Sequence, residues 1–164
     1  MKTEDRRQKA EVEKRLASLL AYPSKKLART ADDTPEIVDF FHEIEQVSSD
    51  GLEELFTRTF DLNPVATLDL GWHLFGEQYE RGRFLAKLRE LEEQAGIAEG
   101  NELPDHLTLV LQLLPSMEPH DAERLAARIA PAIETIRKKL DEQGNPYRHL
   151  VRAAELLVAS GGER

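Results

Sequence analysis

The sequence predicts an all-α protein: a single domain over residues 1–164, built as a bundle of about seven to nine helices. Apolar side chains recur at helical spacing along almost the whole chain. There is no alternating run long enough for a strand and no internal repeat, and turns containing proline or glycine separate the periodic segments. Short connections between amphipathic helices favour a bundle around one core. The ends, residues 1–10 and 160–164, are expected to fray.

Eight apolar stripes divide the chain, and local signals mark where the helices begin and end. The first stripe ends at Tyr22-Pro23, because proline restricts the residue that precedes it. The second begins at Thr34-Pro35-Glu36, which combines a capping threonine, a proline at the first helical position and an acid in the first turn. In chain order the stripes cover residues 12–20, 37–47, 52–60, 65–75, 79–95, 107–114, 125–140 and 147–158.

Caps and breakers set the boundaries of the third and fourth helices. Either Ser49 or Asp50 can cap the third helix, which Asn63-Pro64 ends. The fourth helix, residues 65–75, is more apolar and stops at Gly76, where the chain can turn.

Glycine, aspartate and proline also mark the helix boundaries in the second half of the chain. Gly96 stands where a C-terminal glycine belongs. Asp105 can cap a helix that is apolar nearly all round and is therefore expected at the centre of the bundle. Asp121 can cap the following long helix, which Pro131 should kink or split. Gly144-Asn145-Pro146 is a turn that leads into the last helix.

Charge is spread unevenly along the chain, whose net charge is −9. Residues 31–80 hold thirteen acids and a single base, Arg58, whereas residues 1–30 carry a balance of +5. A nucleic-acid partner is disfavoured, because phosphate binding needs clustered bases. The acidic stretch could attract a basic peptide, or it could form the solvated faces of helices.

The composition also bears on the compartment. The chain has no cysteine, which excludes disulfides and thiolate metal sites and suits a reducing cytoplasm. No segment approaches the roughly 20 apolar residues of a membrane span. The densely charged N-terminus has no apolar core of the kind that a secretory signal requires. We therefore expect a cytoplasmic protein without direct membrane insertion.

The usual catalytic and cofactor-binding motifs are absent. The sequence has no P-loop, no glycine fingerprint after a strand and no nucleophile elbow. No histidine follows a glutamate by three residues, as a di-iron bundle would require. A zinc site would need ligands from several helices, which a sequence cannot exclude, but we predict neither a catalytic residue nor a metal ligand. The five scattered histidines are His42, His73, His106, His120 and His149.

The first polar cluster runs from His73 through Gly76-Glu77 to Arg81-Gly82. In an unbroken helix Glu77 and Arg81, four residues apart, would form an ion pair. If a helix starts near Tyr79 instead, Glu77 lies at its N-terminus, where a carboxylate is favoured. The simplest interpretation is a joint between two helices that Arg81 anchors.

The second polar cluster is Glu102-Leu103-Pro104-Asp105-His106-Leu107. Here the proline fixes the approach to a helix, Asp105 caps it, and His106 lies in its first turn beside two acids. Such a helix start can hold a polar or charged group, although an ordinary helix N-terminus has the same composition.

In this order the clusters resemble the NarJ/TorD-type family of redox-enzyme maturation chaperones, and especially the assembly chaperone (delta subunit) of respiratory nitrate reductase. The likeness covers residues 16–114 well and continues more loosely to the last helix. Each motif is weak alone, but the ordered set on an all-helical chain is a strong signal. The set consists of Leu19-Leu20-Ala21-Tyr22-Pro23, Thr59-Phe60-Asp61, His73-x-x-Gly76-Glu77-x-x-x-Arg81-Gly82 and Glu102-Leu103-Pro104-Asp105-His106-Leu107.

The resemblance implies an all-helical chaperone fold without enzymatic activity. Proteins of this family bind the N-terminal leader of a molybdoenzyme catalytic subunit in the cytoplasm. They hold it while molybdenum-bis(pyranopterin guanine dinucleotide) is inserted, and they prevent premature membrane attachment or export. No cofactor is expected to stay bound to the chaperone itself. The resemblance also assigns Glu102, Asp105 and His106 to the leader-binding region.

A leader that contains basic residues and an amphipathic helix would place its apolar face in a groove and its basic end against acids. The acidic stretch at residues 31–80 would supply the attracting field. The predicted peptide-binding set therefore adds His73, Glu77 and Arg81 to the three residues above. The candidate aromatic walls of the groove are Tyr22, Phe56, Trp72 and Phe75, of which Trp72 is expected to be shared with the core.

Two other classes of function remain as alternatives. The chain could be a permanent, non-catalytic subunit of a redox complex. It could also be a small nucleotide hydrolase with Glu77 or His106 as the general base, but no loop that could cradle a phosphate is present. A homodimer is also open, because exposed grooves in such bundles can self-associate. The sequence does not identify the molybdoenzyme client.

Overall fold

The computed structural model describes residues 3–62, 64–98 and 100–160, and these residues form eight α-helices and no strand. The all-α prediction is therefore confirmed, with a number of helices inside the expected range. The extent of the domain and the fraying of residues 1–10 and 160–164 stay predictions. In chain order the helices are α1 (Thr3–Leu19), α2 (Pro35–Glu43), α3 (Ser49–Phe56), α4 (Leu70–Phe75), α5 (Tyr79–Gln94), α6 (Leu107–Leu113), α7 (Pro119–Gln143) and α8 (Arg148–Ser160).

The α6 helix lies at the centre of the bundle, as its apolar sequence predicts. Six of its seven residues are buried, because a helix that is apolar on all sides has no face suited to water. Both α1 and α5 pack against it. The long α7 helix pairs with α8, while α4 packs on α7 and α2 packs on α8. None of the described helices is long and apolar enough to cross a membrane.

The turn between α7 and α8 is fixed to the rest of the core by a buried polar contact. Gly144 adopts φ +61°, and the turn that Gly144-Asn145-Pro146 predicts is confirmed. The Asn145 Nδ2 donates to Thr59 Oγ1 at 2.7 Å, and the Tyr147 amide donates to Asn145 Oδ1 at 2.9 Å. The completely buried Tyr147 ring then contacts the rings of Phe40, Phe56 and Phe60.

The predicted helix over residues 65–75 is wrong for its first half. Only residues 70–75 are α-helical, and residues 64–66 form a single 3-10 turn. The extended residues between them bond to a distant segment: the Leu70 amide donates to the Asp105 carbonyl at 3.0 Å, and the Leu107 amide donates to the Leu68 carbonyl at 2.9 Å. Because these groups find partners outside their own segment, they do not form a helix there.

Some predicted helix boundaries also need correction. Ser48, rather than Ser49 or Asp50, caps α3, and its Oγ accepts from the Gly51 amide at 3.0 Å. Beyond Phe56 the chain widens into a π-turn, Thr57–Asp61; the predicted end at Asn63-Pro64 falls partly outside the described residues.

The start and the interior of α7 differ from the prediction as well. Glu118 occupies the N-cap position of α7, and Asp121 lies in the first turn. Pro131 does not split α7, which continues to Gln143. Its ring faces solvent, so the missing backbone donor is on the exposed side of the helix.

A buried carboxyl group lines a groove of about 650 Å³ between α1, α7 and α8. The Glu13 side chain of α1 is only 3% exposed there, against apolar walls that include Leu114, Ala126 and Leu157. Burial raises the pKa of this carboxyl to about 7, although the charge of Lys9 opposes the shift. In the folded state the protonated form of Glu13 is therefore favoured below about pH 7.

This burial predicts a pH-dependent stability. The folded pKa of about 7 exceeds the ordinary value of 4.5, so the folded chain binds the proton more tightly and the free energy of unfolding falls as pH rises from about 4.5 to 7. We expect Glu13→Gln to be more stable than the wild type by up to about 3 kcal/mol at pH 8. At pH 4 the two should be nearly equal.

Denaturant unfolding at both pH values measures the difference. Glu11→Gln, at an exposed position of the same helix, is the matched control and should follow the wild type. The groove is also lined by three other charged residues, Arg6, Lys9 and Glu123. Because every variant contains them, they do not contribute to the difference between variants. An identical pH dependence in wild type and Glu13→Gln would contradict the prediction.

Candidate functional site

The two polar clusters of the sequence meet where α4 and α6 begin. Asp69 and His106 form an isolated antiparallel bridge, flanked by the backbone hydrogen bonds between residues 68–70 and 105–107. We call this region the junction. It brings the second cluster against the helix that carries His73 and the helix that carries Arg81.

Asp105 is the buried centre of the junction. Its side chain has no exposed surface, and its Oδ2 accepts from the Gly71 amide at 2.8 Å. The predicted role as the cap of α6 is wrong: the carboxylate satisfies a free amide in the first turn of α4, and His106 is the N-cap residue of α6. Burial raises the pKa of Asp105, the charge of Arg81 opposes the shift, and Asp69 adds to it.

Arg81 pairs with this carboxylate and not with Glu77. Its Nε and Nη2 atoms each lie 3.4 Å from Asp105 Oδ2, and only a fifth of its side chain is exposed. Because Gly76 turns the chain at φ +59° and α5 begins at Tyr79, the unbroken helix that would pair Glu77 with Arg81 is wrong. The alternative, a joint that Arg81 anchors, is confirmed.

His106 and Glu102 form the outer edge of the junction. The His106 Nδ1 lies 2.7 Å from Thr108 Oγ1, and its Nε2 lies 3.5 Å from Glu102 Oε2. The Glu102 side chain is 54% exposed, whereas His106 is buried. Asp69 completes this edge, with a carboxylate oxygen within 4.8 Å of ligand atoms of both residues.

The other predicted residues of the first cluster lie at different depths. Trp72 and His73 are half-buried on α4, and His73 Nε2 lies 2.7 Å from the Thr67 carbonyl oxygen. Phe75 is also half-buried and contacts the Phe84 ring at 5.6 Å. Glu77 is exposed. The position of Trp72 fits a residue shared between core and surface.

Tyr22 and Phe56 belong to a different part of the molecule. Their rings meet edge to face at 5.6 Å, and Phe56 is a core residue that also contacts Phe60 and Tyr147. The α3 helix, which carries Phe56, makes no extensive contact with α4, α5 or α6 among the described helices. The predicted residues therefore lie in two separate parts of the molecule.

The second site is an open groove of about 610 Å³ beside Tyr22, which we call the Tyr22 groove. Tyr22 is 49% exposed and Leu62 is 74% exposed, so the groove offers apolar surface to solvent. Partial desolvation raises the pKa of the Tyr22 hydroxyl, and the charges of Glu53, Asp61 and Asp50 raise it further. The lining residues are Tyr22, Asp50, Glu53, Glu54, Thr57, Arg58 and Leu62.

Sequence reasoning missed Gly71, Asp69 and Leu62. A Cβ at Gly71 would lie 2.6 Å from Asp105 Oδ2 and 3.2 Å from side-chain atoms of Arg81 and Phe84, so only glycine allows the junction to close. The sequence did contain one signal for Gly71: a glycine inside an apolar stretch often marks a place where the backbone lies close to another part of the chain. Nothing local distinguishes Asp69 or Leu62 from other surface residues.

The described residues thus form an all-helical bundle with an acid-rimmed groove and a buried structural carboxylate. The chain belongs to the nitrate reductase delta subunit family, whose model matches residues 10–153. The resemblance that the motifs indicated is therefore confirmed. This family is one of maturation chaperones and not of enzymes.

Individual relatives are similar over different shares of the chain. The probable nitrate reductase molybdenum cofactor assembly chaperone NarJ of Bacillus subtilis is 25% identical over 91% of this chain and 89% of its own length. NarJ of Escherichia coli K12 is 30% identical over 56% of this chain and 39% of its own length. The probable chaperone NarW of the same strain is 26% identical over 82% of this chain and 58% of its own length.

The close contact at Gly71 predicts a large difference between two glycine substitutions. Gly71→Ala should lower the free energy of unfolding by about 1–3 kcal/mol, because the new methyl group forces the Asp105 carboxylate or the Arg81 side chain to move. Gly82→Ala, within α5 and with no atom near the added Cβ, should raise it by up to about 1 kcal/mol. Thermal unfolding of both variants measures this, and equal effects would refute the close contact.

Proposed function

We propose that this chain is an assembly chaperone for a nitrate reductase-type molybdoenzyme and that it binds the N-terminal leader of the catalytic subunit. Relatives whose names describe molybdenum cofactor assembly chaperones support the first part. The Tyr22 groove is the observation that carries the second. It combines exposed apolar side chains with several acids, as recognition of a basic amphipathic segment requires.

The groove can recognise a leader through two complementary contacts. Tyr22 and Leu62 present apolar surface to one face of a leader helix, while Asp50, Glu53 and Glu54 lie along the rim. Arg58 is the single basic residue among those that line the groove, so the potential there favours lysine and arginine side chains. Binding of this type weakens as the salt concentration rises.

We propose the junction as a second leader-binding site besides the Tyr22 groove, as the family resemblance implies. Glu102 is exposed and can accept a basic side chain of the leader, while His106 lies behind it. Asp105 has no exposed surface and contributes by holding α4 and α6 together. Asp105→Ala would therefore change folding and binding together, whereas Glu102→Gln changes an exposed charge and its 3.5 Å contact with His106.

Release follows from differential binding. The chaperone binds the leader of the apo client tightly and binds it less well once the client has folded around its cofactor. In this proposal the molybdenum-bis(pyranopterin guanine dinucleotide) enters the client and is not held by the chaperone. The complex forms in the cytoplasm, before the client attaches to a membrane or is exported.

Calorimetry tests the groove with N-terminal peptides of the nitrate reductase-type subunits encoded in the same genome. One leader should bind, and the Glu53→Gln/Glu54→Gln double variant should weaken binding by about tenfold, because two attractive charges are lost. Glu11→Gln/Glu142→Gln, which removes two exposed acids outside both sites, is the control for net charge and should bind as the wild type does. A peptide with glutamine for lysine and arginine should bind poorly.

The junction has a separate test in the same assay. Glu102→Gln should reduce leader affinity by up to about fivefold, since one exposed charged contact contributes up to about 1 kcal/mol. Glu93→Gln, at an exposed acid of α5 outside both proposed contacts, is the matched control and should leave the affinity unchanged. If no leader binds to well-folded protein, leader recognition is wrong and a permanent structural role is favoured. That role predicts a stoichiometric copy of this chain in the purified mature enzyme.

A further inference from the structure

We propose that Asp69, Glu102 and His106 bind one divalent transition-metal ion of the zinc type at the outer edge of the junction. Each residue offers one ligand atom, and the three atoms lie within 4.8 Å of one another. They come from two segments that the Asp69–His106 bridge fixes in place. The metal would therefore join the approaches to α4 and α6.

The distances are close to those of a coordinated ion. The His106 Nε2 and Glu102 Oε2 atoms are 3.5 Å apart. In a tetrahedral zinc site with bonds of about 2.0–2.1 Å, two ligand atoms are about 3.3 Å apart. The separations that involve Asp69 are at most 4.8 Å, so the ligand side chains must draw closer around one ion. Glu102 is more than half exposed and is free to move.

The surroundings of His106 suit a metal ligand. Its Nδ1 lies 2.7 Å from Thr108 Oγ1. In the metal-free chain Nδ1 also accepts from the Thr108 amide at 3.4 Å. A metal on Nε2 places the ring proton on Nδ1, which then donates to the threonine oxygen in place of that contact. Such a contact behind the ligand fixes both the tautomer and the orientation of the ring.

An unsatisfied oxygen supplies an independent reason for a cation here. Asp69 Oδ1 is buried and has no hydrogen-bond partner among the described residues, and the same holds for Oδ1 of the completely buried Asp105. A buried carboxylate oxygen without a partner is costly. An ordinary ion pair between His106 and Glu102 does not satisfy Asp69 Oδ1, whereas a metal ion bound to the Asp69 carboxylate would bring a positive charge next to it.

The donor set selects the kind of metal. Two carboxylates and one neutral imidazole carry two negative charges, which balance a divalent cation. An imidazole ligand favours zinc, cobalt or nickel over magnesium and calcium, and the chain has no cysteine for a softer ion. The three protein ligands fill three of the four positions of a tetrahedral ion. The fourth position faces solvent on the side of Glu102 and is left for water or another ligand.

A calorimetric titration of the metal-free full chain with zinc tests the proposal without any peptide. One ion should bind per chain, and magnesium should not compete. Glu102→Gln and Asp69→Asn should each weaken zinc binding at least tenfold, because each removes a charged ligand. Glu93→Gln, at an exposed acid of α5 outside the junction, is the matched control and should leave the affinity unchanged.

Cobalt gives a second measurement that reports geometry. Binding of cobalt should produce the strong visible absorption of a tetrahedral ion, and both ligand variants should lose it while retaining the helical circular dichroism of the wild type. Absence of saturable zinc binding would overturn the proposal. So would binding that persists in both variants and is lost in His42→Gln or His149→Gln, which would place the ion on surface histidines. Since no leader is present, these outcomes do not depend on leader recognition.

Discussion

The buried carboxylate of Asp105 is the constraint on which the arrangement of both polar motifs depends. It accepts from the Gly71 amide of α4 and lies beside the Arg81 guanidinium of α5, while its own backbone leads into α6. A charge removed from water is unfavourable unless its partners are in place. The three helices must therefore meet at one point, and Asp69, Glu102 and His106 take their positions from that meeting.

Local signals were sufficient to predict most helices, because the residues that determine each of these helices lie within one segment of the chain. The apolar spacing that predicts α5 and the turn at Gly144 are properties of neighbouring residues. The failure at residues 65–69 has the opposite cause, since the backbone partners of that segment are more than thirty residues away. For the same reason Asp105 reads as an N-cap in the sequence: aspartate is a common cap, and its true partner, Gly71, is 34 residues distant.

The sequence predicted which kinds of residue the candidate sites contain, but not how the fold arranges them. The excess of acids at residues 31–80 indicated a negative surface, but it did not separate acids that are free to meet a partner from acids already used by the fold. Glu43, for example, is bound by Arg148 and His149 of α8, whereas Glu53 and Glu54 line an open groove. That distinction depends on which helices come together, and the linear pattern does not contain it.

The junction has an inner layer that serves the fold and an outer layer that is open to ligands. The inner pair, Asp105 and Arg81, is desolvated, so changing either residue disturbs three helices. The outer residue Glu102 is more than half exposed, and exposed charges contribute little to stability. The outer layer can therefore change its ligand, whether a basic side chain or a metal ion, without loss of the fold. In both proposals, therefore, Asp105 serves the fold, while its neighbour His106, the N-cap residue of α6, belongs to the edge that would meet a ligand.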